Sequence, residues 1–208
     1  MAERENVGEA ARVGAPEINV VADPAPLGLG AFAFTTFMLS LSNANVLKAG
    51  AAIAFPAALW YGGIAQILAG MWEFRNKGNT FGATAFTSYG AFWLTFYWLE
   101  TSSAKLLTGG PADARVAVGA YLLGWTIFTF YMWVGTFRLN GALITVFTLL
   151  LATFALLTIG RFADSSGIFK LGGWVGIATA LAAWYAAAAV VINSTFKRTM
   201  LPLWPVAR

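Results

Sequence analysis

The sequence predicts an all-α membrane protein, six transmembrane helices forming three pseudo-repeated hairpins around a protomer pore. Three observations carry that expectation. Of 208 residues, 59% are hydrophobic and only 11% are charged, and the mean hydropathy is +0.69; a soluble domain of this length has too little interior to hide so much apolar surface. Six apolar stretches can be drawn, each of roughly 20 residues, the length that crosses about 30 Å of hydrocarbon at about 1.5 Å per residue. Related helices also recur, roughly 50 to 60 residues apart, which points to repeated units. GAFAFTTFMLS from Gly30 and GNTFGATAFTSYGAFWL from Gly78 align at Phe34 and Phe86, and a weaker copy, NGALITVFTLL from Asn140, places Phe147 in the same column.

Residues 1–22 are polar, carry Glu3, Glu5, Glu9 and Glu17, and lack the basic start and apolar centre of a signal peptide; they are expected to form a flexible tail. Residues 23–202 form the six-helix transmembrane domain, and 203–208 a C-terminal tail. Asp23-Pro24-Ala25-Pro26 is a helix-start signal, with a capping carboxylate and prolines where no donor is missed. The expected spans are Leu27–Leu47, Ala52–Trp72, Phe81–Leu99, Val116–Phe137, Gly141–Gly160 and Leu171–Ile192. Pro56, inside the second, is tolerated near the first turn or bends the rod. Each hairpin closes on an aromatic beside a base: Phe74-Arg75, Phe137-Arg138 and Phe196-Lys197. Such pairs mark a membrane edge. Arg4, Arg12, Arg75, Lys77, Arg138, Lys197, Arg198 and Arg208 fall on one side and Lys48, Lys105, Arg115, Arg161 and Lys170 on the other, which favours both termini in the cytoplasm.

The residue inventory excludes whole classes of chemistry. With no cysteine and no histidine, thiolate metal sites, thiol nucleophiles and the commonest general base are unavailable. No metal, no cofactor and no enzymatic activity is expected, because no acid, base and nucleophile set converges. The net charge of +4 is spread along the chain without a basic run, so nucleic acid is set aside as a partner.

Inside the membrane an ionisable group is the default functional clue. No charge falls near the centre of an expected span: Glu73 and Glu100 sit at helix ends, and Asp23, Asp113 and Asp164 in connections, so no buried carboxylate relay is expected. The embedded polar groups are neutral, and Thr35, Thr36, Asn43, Gln66, Thr87 and Ser88 are the candidate solute-binding residues. Uncharged donors suit a small polar or anionic solute better than a metal cation. Hydroxyls in membrane helices also bond their own carbonyls or glue helices together, and Gly62-Gly63, Ala69-Gly70 and Gly172-Gly173 read as close-packing surfaces. On the third span, Thr80, Thr84, Thr87, Ser88, Ala91 and Thr95 share one face, with Gly82, Phe86, Tyr89 and Trp93 roughly opposite. One face lines the axis and the other packs; periodicity does not choose.

PAPLGLGAF from Pro24, YGGIAQILAGMWEFRNKGNTFG from Tyr61, TAFTSYGAFWL from Thr84, FALLTIG from Phe154 and GGWVGI from Gly172 together resemble the acetate uptake transporter family, the bacterial succinate-acetate permeases and their yeast relatives. One departure is Asp23, where members usually carry Asn; both cap a helix, but a carboxylate at the pore mouth weakens the attraction for an anion. The resemblance implies a cell-membrane homo-hexamer in which each protomer has its own pore, narrowed at three side chains that map onto Phe32, Tyr89 and Leu150. It therefore turns Tyr89 towards the pore. Tyr89 and Leu150 coincide in the repeat alignment, whereas Phe32 aligns with Thr84: the first copy is shifted in register, or the repeat is only approximate.

The implied solute is acetate or a similar small carboxylate, such as succinate. Its pKa lies near that of Glu, about 4.3, so it is anionic at neutral pH, and a bare anion in hydrocarbon costs tens of kcal/mol by Born estimates. The path must stay polar except at a short constriction. Without an intramembrane carrier, channel-like passage or permeation of the neutral acid is expected over proton-linked transport. A hydroxyl-lined lumen also serves a small neutral solute such as ammonia or a short amide, which is the alternative reading.

Overall fold

Helix starts along this chain are set by short polar side chains that take up free backbone N–H groups. The Asn79 side chain accepts from Gly82 N–H at 3.1 Å, Asn140 from Leu143 N–H at 2.9 Å and Ser165 from Ile168 N–H at 3.4 Å. The carboxylate of Asp23 accepts from Ala25 N–H at 2.9 Å. The computed structural model describes residues 21–47, 50–76, 78–102 and 109–206. Except for its last two residues, the expected tail at 1–22 lies outside the described residues, as do Arg4, Arg12, Lys48, Lys77, Lys105 and Arg208 of the charge count.

The described residues form six rods: α1 (Ala25–Asn43), the composite α2, α3 (Thr80–Thr101), α4 (Gly110–Thr136), α5 (Gly141–Phe162) and α6 (Ser166–Phe196). Rod α2 runs through Gly50–Leu59, a π-helical turn at Trp60–Ala65, and Gln66–Glu73. Five of the six are long and apolar enough to cross a membrane. The remaining one, α3, has 22 residues, enough for about 33 Å; its threonines, serine and tyrosines lower its hydropathy. The last rod starts five residues before the expected Leu171, because Ser165 supplies a cap ahead of the apolar run.

The π turn decides what faces inward. Seven residues on from Ala54 and Ala58, both buried, a regular α-helix would bury positions 61 and 65. Instead Gly62 and Gln66 are buried, one residue later, followed by Ala69, Gly70 and Glu73. The extra residue of the π turn has rotated the second half of the rod, and Gln66 and Glu73 face inward as a result.

Consecutive rods pack side by side and α6 returns against α1, closing a ring. The glycines read from sequence as packing surfaces do pack: a Cβ on Gly62 would meet the Thr35 side chain at 2.5 Å, and one on Gly70 would meet Thr87 N at 2.6 Å. Rods α3 and α4 approach least closely, and aromatic rings fill their seam. Phe128 meets Tyr89 edge-on at 5.2 Å, and Trp125 meets Phe92 at 5.2 Å. Odd-numbered rods carry the inner wall, with Phe32, Tyr89, Phe147 and Leu150 in one buried core.

After α6 the chain folds back. Lys197 adopts φ 51°, the Asn193 carboxamide accepts from Met200 N–H at 2.7 Å and Leu201 N–H at 3.0 Å, and Tyr185 donates to Pro202 O at 2.7 Å. The carbonyls of Trp204 and Leu203 then accept from Gly141 N–H and Ala142 N–H, and Leu203 reaches the inner cavity.

Candidate functional site

A cavity of about 280 Å³ lies between the rods, and its lining repeats threefold. Ala25, Gly82 and Leu143 form its outer layer, Leu29, Phe86 and Phe147 the next, and Phe32, Tyr89 and Leu150 the innermost. The spacing is 57 residues from α1 to α3 and 61 from α3 to α5 in all three layers. This resolves the register. The alignment of Phe34 with Phe86 is corrected: Phe34 points outward at 38% exposure, whereas Phe86 lines the cavity at 8%. Shared composition, not shared orientation, produced that match. The pairing of Phe86 with Phe147 holds.

At the floor, Phe32, Tyr89 and Leu150 are 5%, 3% and 3% exposed. The rings of Phe32 and Tyr89 stand 5.7 Å apart and tilted by 51°. Tyr89 O–H pairs with the Thr129 hydroxyl at 2.9 Å, which fixes the phenol ring across the axis. Beyond this layer a second cavity of about 240 Å³ opens, lined by Leu39, Phe92, Phe154 and Leu157 among others, and no residue lines both. The Phe32, Tyr89 and Leu150 layer therefore separates two chambers.

The inner cavity is mainly apolar, and among the described residues its polar lining is Asp23, Gln66, Glu73, Asn79, Asn140 and, at the floor, Tyr89. Gln66 is fully buried, and neither its amide nitrogen nor its amide oxygen has a partner. An unsatisfied buried amide costs about 1–3 kcal/mol. Two turns further along the same face, Glu73 is also fully buried. Its Oε2 accepts from Asn79 Nδ2 at 2.8 Å and from Asn76 Nδ2 at 3.2 Å, while Oε1 is unpartnered. Gly82 makes this possible, since a Cβ there would stand 2.9 Å from the carboxyl carbon of Glu73. The carboxylate thus sits against the N-terminus of α3, where free N–H groups favour negative charge.

No carboxylate relay is expected from the sequence, and Glu73 adds a single buried carboxylate to that picture. By chain position it ends a span, but α3 begins alongside it and encloses it. Asp23 also lines the cavity. Of the candidate solute-binding residues, Gln66 lines the inner cavity and Asn43 the second chamber. Thr35, Thr36, Thr87 and Ser88 line none of the cavities described. Thr35 instead donates to Ala31 O at 2.9 Å and packs on Gly62, while Thr87 packs on Gly70. The threonine face of α3 is the packing face, and Tyr89 faces the axis. Sequence reasoning placed Glu73 at a helix end and did not foresee its burial on the cavity wall; the signal for it was Asn79 and Gly82 closely following, a cap and a bare backbone at the start of the next rod.

A closed ring of apolar rods around a chambered axis is the architecture of a multi-pass membrane protein with a central lumen. The chain belongs to the GPR1/FUN34/yaaH family, whose match spans residues 8–207. It is 44% identical over 183 residues to the succinate-acetate/proton symporter SatP of Escherichia coli, covering 88% of this chain and 95% of that protein. It is 40% identical over 176 residues to ammonia transport outward protein 2 of Saccharomyces cerevisiae, covering 81% of this chain and 61% of the relative. The solved structure of the bacterial acetate channel SatP superposes with a TM-score of 0.82 at 43% identity, over 88% of this chain and 99% of the other.

Proposed function

We propose that the protein passes acetate and similar small monocarboxylates across a cell membrane, through the lumen of each protomer. The observation that carries this reading is Gln66, a buried amide with a free donor and a free acceptor, on the wall of the chamber above the Phe32, Tyr89 and Leu150 layer. Its NH2 group offers a carboxylate a hydrogen bond without a fixed counter-charge that would trap the anion. The apolar layer receives the methyl end, and its width excludes bulkier acids. Relatives named for succinate, acetate and an acetate channel support the solute class, and they are transporters and a channel, not enzymes.

Gln66→Leu tests the reading. Acetate uptake into vesicles should fall by about tenfold, the scale of one hydrogen bond to a charged group, while thermal stability in detergent holds or rises because an unsatisfied amide is removed. Undiminished uptake in a folded variant would refute the assignment.

Among the described residues, Glu73 is the one buried carboxylate that proton linkage could use. If protons accompany acetate by way of this group, Glu73→Gln abolishes acetate-driven acidification of the vesicle interior while acetate still passes. Equal acidification by both proteins would exclude Glu73 as the proton carrier.

A homo-hexamer with both termini in the cytoplasm completes the proposal. The family likeness supports the assembly, and the Arg75, Arg138, Lys197 and Arg198 hairpin ends support the orientation. Outward aromatics such as Trp60, Trp98 and Phe130 supply an apolar belt for lipid or neighbouring protomers.

A neutral solute is the second reading. The ammonia transport relative favours it, and so does the absence of Lys and Arg among the described residues that line the inner chamber.

A further inference from the structure

The two ends of the lumen differ in charge. Among the described residues, the inner chamber is lined by two carboxylates, Asp23 and Glu73, and by no cation. At the other end a third cavity, about 550 Å³, meets the second chamber: Ser42, Asn43, Arg161 and Phe169 line both. Among the described residues its charged lining is Arg115, Arg161, Lys170 and Asp164, and Glu100 lines the second chamber.

Two of these charges are already engaged. Arg115 Nη1 donates to the carbonyls of Arg161 and Phe162, closing the C-terminal end of α5, and its Nε lies 3.4 Å from Asp164 Oδ1. Arg161 is placed differently. Leu150, Phe154, Leu157 and Arg161 follow one another on a single face of α5, and each lines a chamber of the lumen. Eleven residues of rise put Arg161 about 16 Å along the axis from the constriction. Its guanidinium carbon stands 4.4 Å from the centre of the Phe169 ring, which holds the head group without neutralising it. Its Nε is buried and has no hydrogen-bond partner.

Resting on the transport reading above, we infer that Arg161 docks the solute carboxylate at the end of the lumen opposite Glu73, before the anion reaches the apolar layer. A guanidinium fork matches a carboxylate, and a cation in a walled chamber raises the local concentration of anions. Asn43, lining the same two spaces, supplies a neutral amide beside it. This end therefore selects against ammonium and gathers carboxylates, while the carboxylate-lined end releases them.

Two measurements on the full-length protein test the inference separately from the transport reading. In detergent, phenylglyoxal modification of Arg161, followed by mass spectrometry of its peptide, should slow fivefold or more in saturating sodium acetate. Acetamide and sodium chloride at the same concentrations should leave it unchanged, and Arg115 serves as an internal reference. Equal rates in acetate and chloride would overturn the docking site, whether or not the protein transports acetate.

In proteoliposomes, Arg161→Gln should raise the KM for acetate fivefold or more, and Arg161→Lys, which restores the charge without the fork, should recover part of the loss. A KM unchanged in both variants would overturn the inference while leaving acetate passage standing; an inert wild-type protein would defeat the transport reading, and the protection experiment would then decide the site alone.

Discussion

Leu150→Ala is expected to let lactate and other bulkier monocarboxylates through, raising lactate uptake relative to acetate by at least about tenfold. Leu150 is 3% exposed and lines the floor of the inner cavity with Phe32 and Tyr89. Tyr89 is held from behind by Thr129 and by the edge of Phe128, so it cannot swing in to refill the space. Removing even one methylene from a selective apolar pocket changes discrimination by about 10- to 200-fold. The same truncation costs about 2–5 kcal/mol where surrounding rings fail to collapse, so the variant should also melt earlier. Competition between labelled acetate and lactate in vesicles reads the effect. A lactate-to-acetate ratio equal to that of the wild type would remove Leu150 from the selective layer.

Gly173→Ala should be the most damaging single-methyl change in the molecule. Where α6 closes the ring against α1, the added Cβ would lie 2.6 Å from the carbonyl carbon of Asn43 and 2.8 Å from Ala44 Cα, and closer still to Ala44 N. All three are backbone atoms at the end of α1, and no rotamer change moves them. Overpacking of this kind costs about 1–3 kcal/mol and sometimes more, and relieving it means opening the seam that completes the lumen. Gly124→Ala is the control. A Cβ at Gly124 meets nothing within 4 Å, and alanine favours the helix by about 1 kcal/mol. Thermal melts in detergent should separate the two variants clearly, with Gly173→Ala losing both stability and acetate flux. Indistinguishable melts would show that the α1 and α6 seam is slack.

Much of the architecture was legible because the bilayer imposes it. Apolar length located the six spans, and the packing role of Gly62-Gly63 and Gly70 followed from small residues alone. The ends were harder to read. Caps at Ser165 and a proline-tolerant first turn at Gly110 carry α6 and α4 past their apolar runs.

The direction a side chain faces is not fixed by composition. Phe34 and Phe86 sit in nearly identical octapeptides and point opposite ways, because an offset of a few residues rotates a helix without changing its composition. Gln66 was selected for its polarity, but its inward aim depends on the π turn at Trp60–Ala65, which periodicity does not reveal. Glu73 was hidden for another reason. Burial at a helix end depends on the neighbouring rod, and only the contact through Gly82 and Asn79 shows that the carboxylate is enclosed.

The central claim is that a small carboxylate, not a neutral amine, crosses the lumen. The most direct test compares labelled acetate uptake with ammonia-driven alkalinisation in proteoliposomes of the purified chain against protein-free vesicles. The structure predicts saturable acetate uptake well above the lipid background, with no protein-dependent gain for ammonia. Acetate uptake at the background level, together with accelerated ammonia passage, would contradict it.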